Sequence, residues 1–149
     1  MNIRNSARAI IIQEGHILTI PTALPYGICH FLPGGGQDHG ETLEEAVVRE
    51  CEEELGLHVR VERLVYVREY IASTHPYAKD DAPLHQIDHI FYCVVQGQSD
   101  QKRQLDEGQC GIRWLPVDQL RDVLFFPEAI IDDLQSNALP NFRYLGNIL

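Results

Sequence analysis

Three glutamates within five residues have the spacing of a metal-binding cluster. Glu50, Glu53 and Glu54 stand at i, i+3 and i+4. On a helix this spacing places all three carboxylates on one face, within reach of one another. Like charges this close repel unless a cation neutralises them, and carboxylate oxygens suit Mg²⁺, Mn²⁺ or Ca²⁺. The alternative is a solvated glutamate-rich helix face without a metal. The three neighbouring carboxylates would then need cationic side chains as partners, and only Arg49 is near in sequence.

A glycine-rich segment directly precedes this cluster. Pro33-Gly34-Gly35-Gly36 is expected to be a loop, since consecutive glycines favour neither helix nor strand. A backbone without side chains can approach a phosphate or offer a carbonyl to a metal. The segment therefore favours the metal site over the solvated face.

The carboxylates need a helix to hold them, and the sequence predicts one over Thr42 to Leu55. Thr42 and Glu45 form a capping-box pattern at its start, and Gly56 is a natural stop. An apolar stripe recurs every four residues and would dock the helix on the core: Leu43, Val47, Cys51 and Leu55.

Residues 35–57 resemble the signature of the Nudix hydrolases: Gly, five residues, Glu, seven residues, Arg-Glu-aliphatic-any-Glu-Glu-any-Gly-aliphatic. The matching positions are Gly35, Glu41, Arg49, Glu50, Glu53, Glu54, Gly56 and Leu57. Cys51 departs from the pattern, but cysteine packs like a small hydrophobe. The resemblance implies an α+β fold, the family's α/β/α sandwich with a mixed sheet, over one domain spanning residues 1–149.

The resemblance also implies roles for individual residues. Glu50, Glu53, Glu54 and the Gly34 carbonyl would bind Mg²⁺, with Mn²⁺ as the alternative ion. Arg49 and Glu41 would fix the loop and the carboxylates. Glu53 is the expected general base or water-positioning residue, with Glu107 as the alternative from a later loop. The reaction would be attack of a metal-activated water on a phosphoanhydride in a nucleoside diphosphate linked to another group.

The remaining pattern predicts strands mixed with a few short helices. The expected strands are 7–13, 16–20, 28–32, 57–71, 86–95 and 112–115, and the expected helices are 116–124 and 128–135. Segments 21–26, 72–84 and 96–111 are expected to be loops. Glu14-Gly15 is a hairpin-type turn.

Composition limits the partners and the compartment. The chain of 149 residues carries 22 acidic and 12 basic side chains, for a formal net charge of -10. Long-range repulsion makes a nucleic-acid polymer an unexpected partner, so the expected substrate is a small nucleotide-like molecule. Four cysteines without a CxxC pair favour free thiols and a cytoplasmic protein, and no membrane segment is expected. Resemblance to the family also suggests a homodimer.

Weaker signals remain open. His85 and His89 share one face of an expected strand and could meet the substrate, although hydrogen-bonded sheet residues are favoured. Some aromatic and basic side chains could contact a base or a distal phosphate: Tyr66, Tyr70, Tyr77, Tyr92, Arg68, Lys79, Lys102 and Arg103. Some subfamilies carry a characteristic Pro or Tyr shortly after the signature, at the place of residues 72–74. This chain has Ala72, Ser73 and Thr74 there. The rival to the hydrolase is a non-catalytic Nudix-like module that senses a nucleotide.

Overall fold

The computed structural model describes residues 2–76, 83–100, 109 and 111–149. The strands are β1 (Arg4–Ile10), β2 (Ile12–Gln13), β3 (His16–Leu24), β4 (Gly27–Phe31), β5 (Gly34–Gly36), β6 (Leu57–Ile71), β7 (His85–Gln98), β8 (Arg113–Pro116), β9 (Leu124–Phe126) and β10 (Arg143–Asn147). The helices are α1 (Leu43–Leu55) and α2 (Ile131–Gln135), with 3₁₀ turns at Ala72–Thr74, Val117–Asp122 and Glu128–Ile130.

The strands form two sheets. The first sheet has the order β10-β6-β7-β1-β5, and the second has the order β2-β3-β4-β9 with β8 paired to β3. In the first sheet β1 runs parallel to β7 and β6 parallel to β10, whereas β6–β7 and β1–β5 are antiparallel. The predicted α+β fold with a mixed sheet is confirmed.

Two apolar clusters organise these layers. One joins α1 to one side of the first sheet, with Val47 and Cys51 of the helix packed among Ala7, Ala9 and Phe91. The other lies between the two sheets and α2: Ile10, Ile17, Leu32, Val65, Tyr66, Ile90, Leu115, Val117, Leu120, Phe125, Ile130, Ile131 and Leu134. The first sheet is therefore covered on both faces, and α1 is held against its glycine strand β5.

The start and end of α1 follow from local chemistry. Thr42 Oγ1 accepts a hydrogen bond from the Glu45 backbone N–H at 3.0 Å, and Glu45 Oε1 accepts one from the Thr42 N–H at 3.2 Å. Gly56 ends the helix in the left-handed region at φ 65°. The predicted capping box and helix stop are confirmed.

The expectation of a loop at the glycine segment is wrong. Gly34–Gly36 is strand β5, paired antiparallel with Ser6–Arg8 of β1. Glycine is required at Gly34, where φ is 141° and an added Cβ would lie 2.1 Å from the Ala7 carbonyl oxygen. The ladder with β1 satisfies the backbone and outweighs the weak strand preference of glycine.

Three other expectations need correction, and one strand was not expected. The segment expected as a helix at 116–124 is a 3₁₀ turn followed by β9, because Phe125 and Phe126 are buried as a strand beside β4. The expected loop at 21–26 is largely the end of β3, paired with β4. The last expected helix is α2 preceded by a 3₁₀ turn. Strand β10 was not predicted, and its pairing with β6 supplies the backbone partners.

The cysteine prediction is confirmed where the structure describes it. Cys29, Cys51 and Cys93 are free and buried, while Cys110 lies outside the described residues. No helix in the described part of the chain has the length and apolar character needed to cross a membrane.

Candidate active site

Helix α1 directs two of its carboxylates at the glycine strand β5. Glu54 is 3 % exposed, and its Oε1 accepts a hydrogen bond of 2.7 Å from the Gly34 backbone N–H. One turn earlier, the Glu50 carboxylate lies so close to Gly35 that an added Cβ would be 2.7 Å from Glu50 Oε1. The helix and the strand thus form one cleft in which carboxylates contact bare backbone.

Arg49 ties the rest of the predicted set together. Its Nε and Nη2 donate to the two carboxylate oxygens of Glu41 at 3.1 and 2.8 Å, and Nη2 also donates to the Gly36 carbonyl at 2.9 Å. Its Nη1 reaches Glu50 Oε1 at 3.1 Å and Glu53 Oε2 at 3.2 Å. These contacts are compatible with the predicted role of Arg49 and Glu41, which is to fix the loop and the carboxylates. The role remains a prediction.

Burial raises the pKa of two carboxylates in this cleft. The pKa of Glu54 rises to about 7 because the side chain is desolvated, although the Gly34 N–H, Gln109 and the charge of Arg8 oppose the rise. The pKa of Glu50 is also raised by burial, against the charge of Arg49. Hydrogen bonds from Arg49 lower the pKa of Glu41. The cleft therefore contains negative charge that a bound cation would stabilise.

The donor chemistry of the cleft fits a hard divalent cation. Glu50, Glu53, Glu54 and the Gly34 carbonyl supply oxygen atoms, which Mg²⁺ and Mn²⁺ prefer. Among the described residues, no three His, Cys, Asp or Glu side chains are already arranged to hold a metal ion. Arg49 holds Glu50 and Glu53 while Glu54 turns to Gly34. A cation would take over oxygens that now accept N–H hydrogen bonds.

Gln109 is a site residue that the sequence reasoning missed. Its Nε2 donates to Glu54 Oε2 at 2.9 Å, so both oxygens of Glu54 accept a hydrogen bond. No local pattern around Gln109 indicates this contact, because the two residues are 55 positions apart. Glu107, the alternative general base, lies outside the described residues.

A pocket of about 550 Å³ opens beside the cleft. One wall comes from the first sheet, with the lining residues Arg4, Arg8, Arg68, Tyr70, Gln86, Asp88 and Ile90. The facing wall is largely apolar, with Leu24, Pro25, Tyr26, Phe31, Leu32, Phe126 and Pro127. Arg8 connects the pocket to the cleft, since its Nη1 donates to the carbonyls of Leu32 and Gly34 at 3.2 and 3.4 Å.

The alternation of β7 decides which of its side chains meet the pocket. Asp88 and Gln86 line it. His85 instead contacts Glu69 Oε1 at 3.2 Å, and His89 Nδ1 lies 3.1 Å from the Ser6 carbonyl oxygen. The favoured prediction of hydrogen-bonded sheet histidines is confirmed.

The other weak candidates divide in the same way. Arg68 and Tyr70 line the pocket, whereas Tyr66 is buried in the core with its hydroxyl donating to Asp133 at 2.6 Å. Tyr92 packs against the core between the sheets. The candidates outside the described residues are Tyr77, Lys79, Lys102 and Arg103.

Known proteins are similar to this chain in sequence and in fold. An ADP-ribose pyrophosphatase of Methanocaldococcus jannaschii is 54 % identical over 59 residues, which cover 39 % of this chain and 35 % of that protein. The chain thus spans about a third or less of the curated relatives it matches. A NUDIX hydrolase from Nitrosomonas europaea has the same fold, with a TM-score of 0.72 and 21 % identity over 93 % of this chain and 92 % of its own.

A second solved structure combines the fold with closer sequence similarity. The MutT NUDIX hydrolase from Burkholderia pseudomallei is 28 % identical, with a TM-score of 0.65 over 91 % of this chain and 98 % of its own. The family model described as NUDIX domain matches residues 3–134, which include the glycine strand, α1 and the pocket wall. This chain therefore belongs to the Nudix family.

Proposed function

We propose that the protein hydrolyses a phosphoanhydride bond in a nucleoside diphosphate linked to another group, with Mg²⁺ as the metal and Mn²⁺ as its alternative. The observation that carries the proposal is the cleft in which Glu50 and Glu54 of α1 contact the backbone of β5. The water's oxygen would bond to one phosphorus as the bond from that phosphorus to the bridging oxygen breaks, and the leaving phosphate would take up a proton. The products are two phosphate monoesters. A pocket that opens beside the cleft supports a substrate of nucleotide size.

Four groups are proposed to hold the cation: Gly34 through its carbonyl, Glu50, Glu53 and Glu54. When bound, a divalent cation lowers the pKa of a water and offsets charge on the phosphate. Arg49 would hold Glu50 and Glu53 in the orientation for this task, and Glu41 would hold Arg49. The contacts of the Arg49 guanidinium with all three carboxylates support this arrangement.

Glu53 is the proposed general base. At 34 % exposure its side chain is the most accessible of the three glutamates, so it can face an attacking water. Glu54 is a poorer candidate, because both of its oxygens accept hydrogen bonds from Gly34 and Gln109. Glu107 remains the alternative base.

ADP-ribose is the first substrate to test. The Methanocaldococcus jannaschii relative is named an ADP-ribose pyrophosphatase, and its identity to this chain is high over the matched segment. The missing marker at residues 72–74 makes a wider panel necessary. Nucleotide sugars, dinucleoside polyphosphates and nucleoside triphosphates complete the panel.

The test measures release of phosphate or nucleotide with Mg²⁺, with Mn²⁺ and with a chelator. The wild-type protein is expected to hydrolyse one substrate class. Glu53→Gln, Glu54→Gln and the chelator are each expected to abolish this hydrolysis. Glu44→Gln is the matched control, since Glu44 lies on the same helix but is exposed. It should retain wild-type turnover.

Two outcomes would overturn the hydrolase proposal. Turnover that survives in both glutamine variants would exclude these carboxylates as the catalytic cluster. Saturable nucleotide binding without turnover of any panel member would favour the nucleotide sensor instead.

Three broader expectations stay proposals. We propose that residues 1–149 act as a single domain, that the protein is cytoplasmic and that it forms a homodimer. Sedimentation equilibrium of the purified chain tests the dimer, and a monomer at all concentrations would refute it.

A further inference from the structure

The pocket beside the cleft carries positive charge in a strongly acidic chain. The chain has a formal net charge of -10. Among the described residues that line the pocket, three are arginines and Asp88 has the one acidic side chain. A local excess of guanidinium groups in a concave site attracts an anion.

Asp88 arranges two of these arginines. It is 2 % exposed and lies between them. Its Oδ2 accepts hydrogen bonds from Arg68 Nε at 2.9 Å and pairs with Nη2 at 2.8 Å, while its Oδ1 lies 3.5 Å from Arg8 Nε. Ser6 Oγ and Gln86 Nε2 also donate to Oδ1. With both oxygens saturated, Asp88 is suited to holding the arginines in place.

The arginines keep donors in reserve after these contacts. Arg4 donates through Nη1 to Gln86 Oε1 at 3.0 Å, and its Nε and Nη2 lie next to Gly36. Within the described part of the chain, Arg8 Nη2 and Arg68 Nη1 make no hydrogen bond, nor do Nε and Nη2 of Arg4. N–H groups that protein atoms do not satisfy are available to ligand oxygens.

The positions of the three arginines follow the path from the cleft into the pocket. Arg8 pairs with Gly34 and Arg4 lies against Gly36, so both border the glycine strand. Arg68 lies beyond Asp88, with its guanidinium carbon 5.6 Å from the centre of the Tyr70 ring. An anionic chain that begins at the cleft can therefore meet one guanidinium after another.

We propose that Arg4, Arg8 and Arg68 form an arginine wall, in which Asp88 organises Arg8 and Arg68, and that this wall binds the substrate's phosphate oxygens on the side away from the carboxylate cluster. The wall makes the phosphate chain the recognised part of the substrate, with Arg8 as the residue that joins the cleft to the pocket. The ligand class rests on the proposed function. The binding itself does not require turnover.

The test is binding of inorganic pyrophosphate in the presence of EDTA, measured by isothermal titration calorimetry. The chelator removes any contribution of a metal, so the measurement isolates the arginines. The wild-type protein is expected to bind, and Arg8→Gln is expected to weaken binding about tenfold because charge-assisted hydrogen bonds are lost. Arg8→Lys should give an intermediate loss, since lysine keeps the charge without the planar fork.

Arg60→Gln is the matched control. Arg60 is 58 % exposed and contacts Glu62, away from the pocket, and its removal changes the net charge equally. It should bind pyrophosphate as the wild type does. Circular dichroism checks the fold of each variant. If Arg8→Gln does not fold, Arg4→Gln replaces it, because Arg4 makes no contact with Asp88 and its loss leaves the buried ion pairs intact. Arg4→Gln is also expected to weaken binding about tenfold.

The proposal is overturned if the wild-type protein does not bind pyrophosphate in EDTA. It is equally overturned if Arg60→Gln weakens binding as much as the folded wall variants. Failure of the proposed function has a different signature, namely pyrophosphate binding that depends on Arg8 with no turnover of any nucleotide when Mg²⁺ is present.

Discussion

Replacing each of two adjacent glycines by alanine should impair different properties: stability at Gly34 and turnover at Gly35. At Gly34 an added Cβ would lie 2.1 Å from the carbonyl oxygen of Ala7 and 2.7 Å from the Cα of Arg8, and φ is 141°. At Gly35 the three nearest atoms that it would meet all belong to the carboxylate of Glu50, the closest at 2.7 Å. Backbone atoms of a paired strand cannot rotate away, whereas a glutamate side chain can.

The magnitudes follow from this contrast. Gly34→Ala must break the pairing of β5 with β1 or accept strained backbone, a cost of about 3 kcal/mol. For a chain of this size that corresponds to a fall in Tm of roughly 6–12 °C. Gly35→Ala should change stability by less than about 1 kcal/mol. The Glu50 carboxylate must move by roughly 1 Å to reach normal contact distance, however, and such a shift costs about 100-fold in turnover.

Thermal unfolding by circular dichroism and turnover with Mg²⁺ measure the two effects separately. Gly97→Ala is the control, because an added Cβ at Gly97 meets no atom within 4 Å and its φ is not positive. Equal losses of Tm in the Gly34 and Gly35 variants would refute the reasoning. Wild-type turnover in Gly35→Ala would refute the proposed role of Glu50.

Three further perturbations test the electrostatics around the cleft. Burial opposes ionisation of Asp88, but Arg8 and the other donors lower its pKa from 3.8 to about 2 in the folded protein. This lowered pKa stabilises the folded state above about pH 4, and the stabilisation is lost as the pH falls through about 2. The free energy of unfolding in urea should therefore exceed that of Asp88→Asn by up to about 2 kcal/mol less at the low end of this range than above pH 4. Gln109→Ala should lower turnover about tenfold at unchanged Tm, because it removes the donor that orients Glu54; unchanged turnover would exclude that role. Arg49→Lys should lower turnover about 10- to 100-fold in the same assay, since an ammonium group cannot bridge several carboxylates as the guanidinium does; wild-type turnover would contradict bracing by Arg49.

Local sequence was sufficient to predict helix α1 and the residues it presents. A capping box, a four-residue apolar stripe and a terminal glycine are all interactions between neighbours in the chain. Helical periodicity then places Glu50, Glu53 and Glu54 together, and Arg49 beside them, without reference to the rest of the fold. The family resemblance lies in the same continuous stretch.

Segments whose structure depends on a distant partner were predicted poorly. Gly34–Gly36 has no strand preference of its own and becomes β5 only because β1 offers a ladder. Strand β10 depends on β6 in the same way, and β9 on β4. In each case pairing satisfies the backbone and overrides local propensity.

The candidate site divides along the same boundary. The sequence by itself determined the carboxylate cluster, because its members lie within two turns of one helix. Only the tertiary structure brought Arg8 and Arg68 to opposite sides of Asp88, and Gln109 to Glu54. Such contacts join strands and loops that are far apart in the chain, and no periodicity within a segment records which residues of another segment it will face.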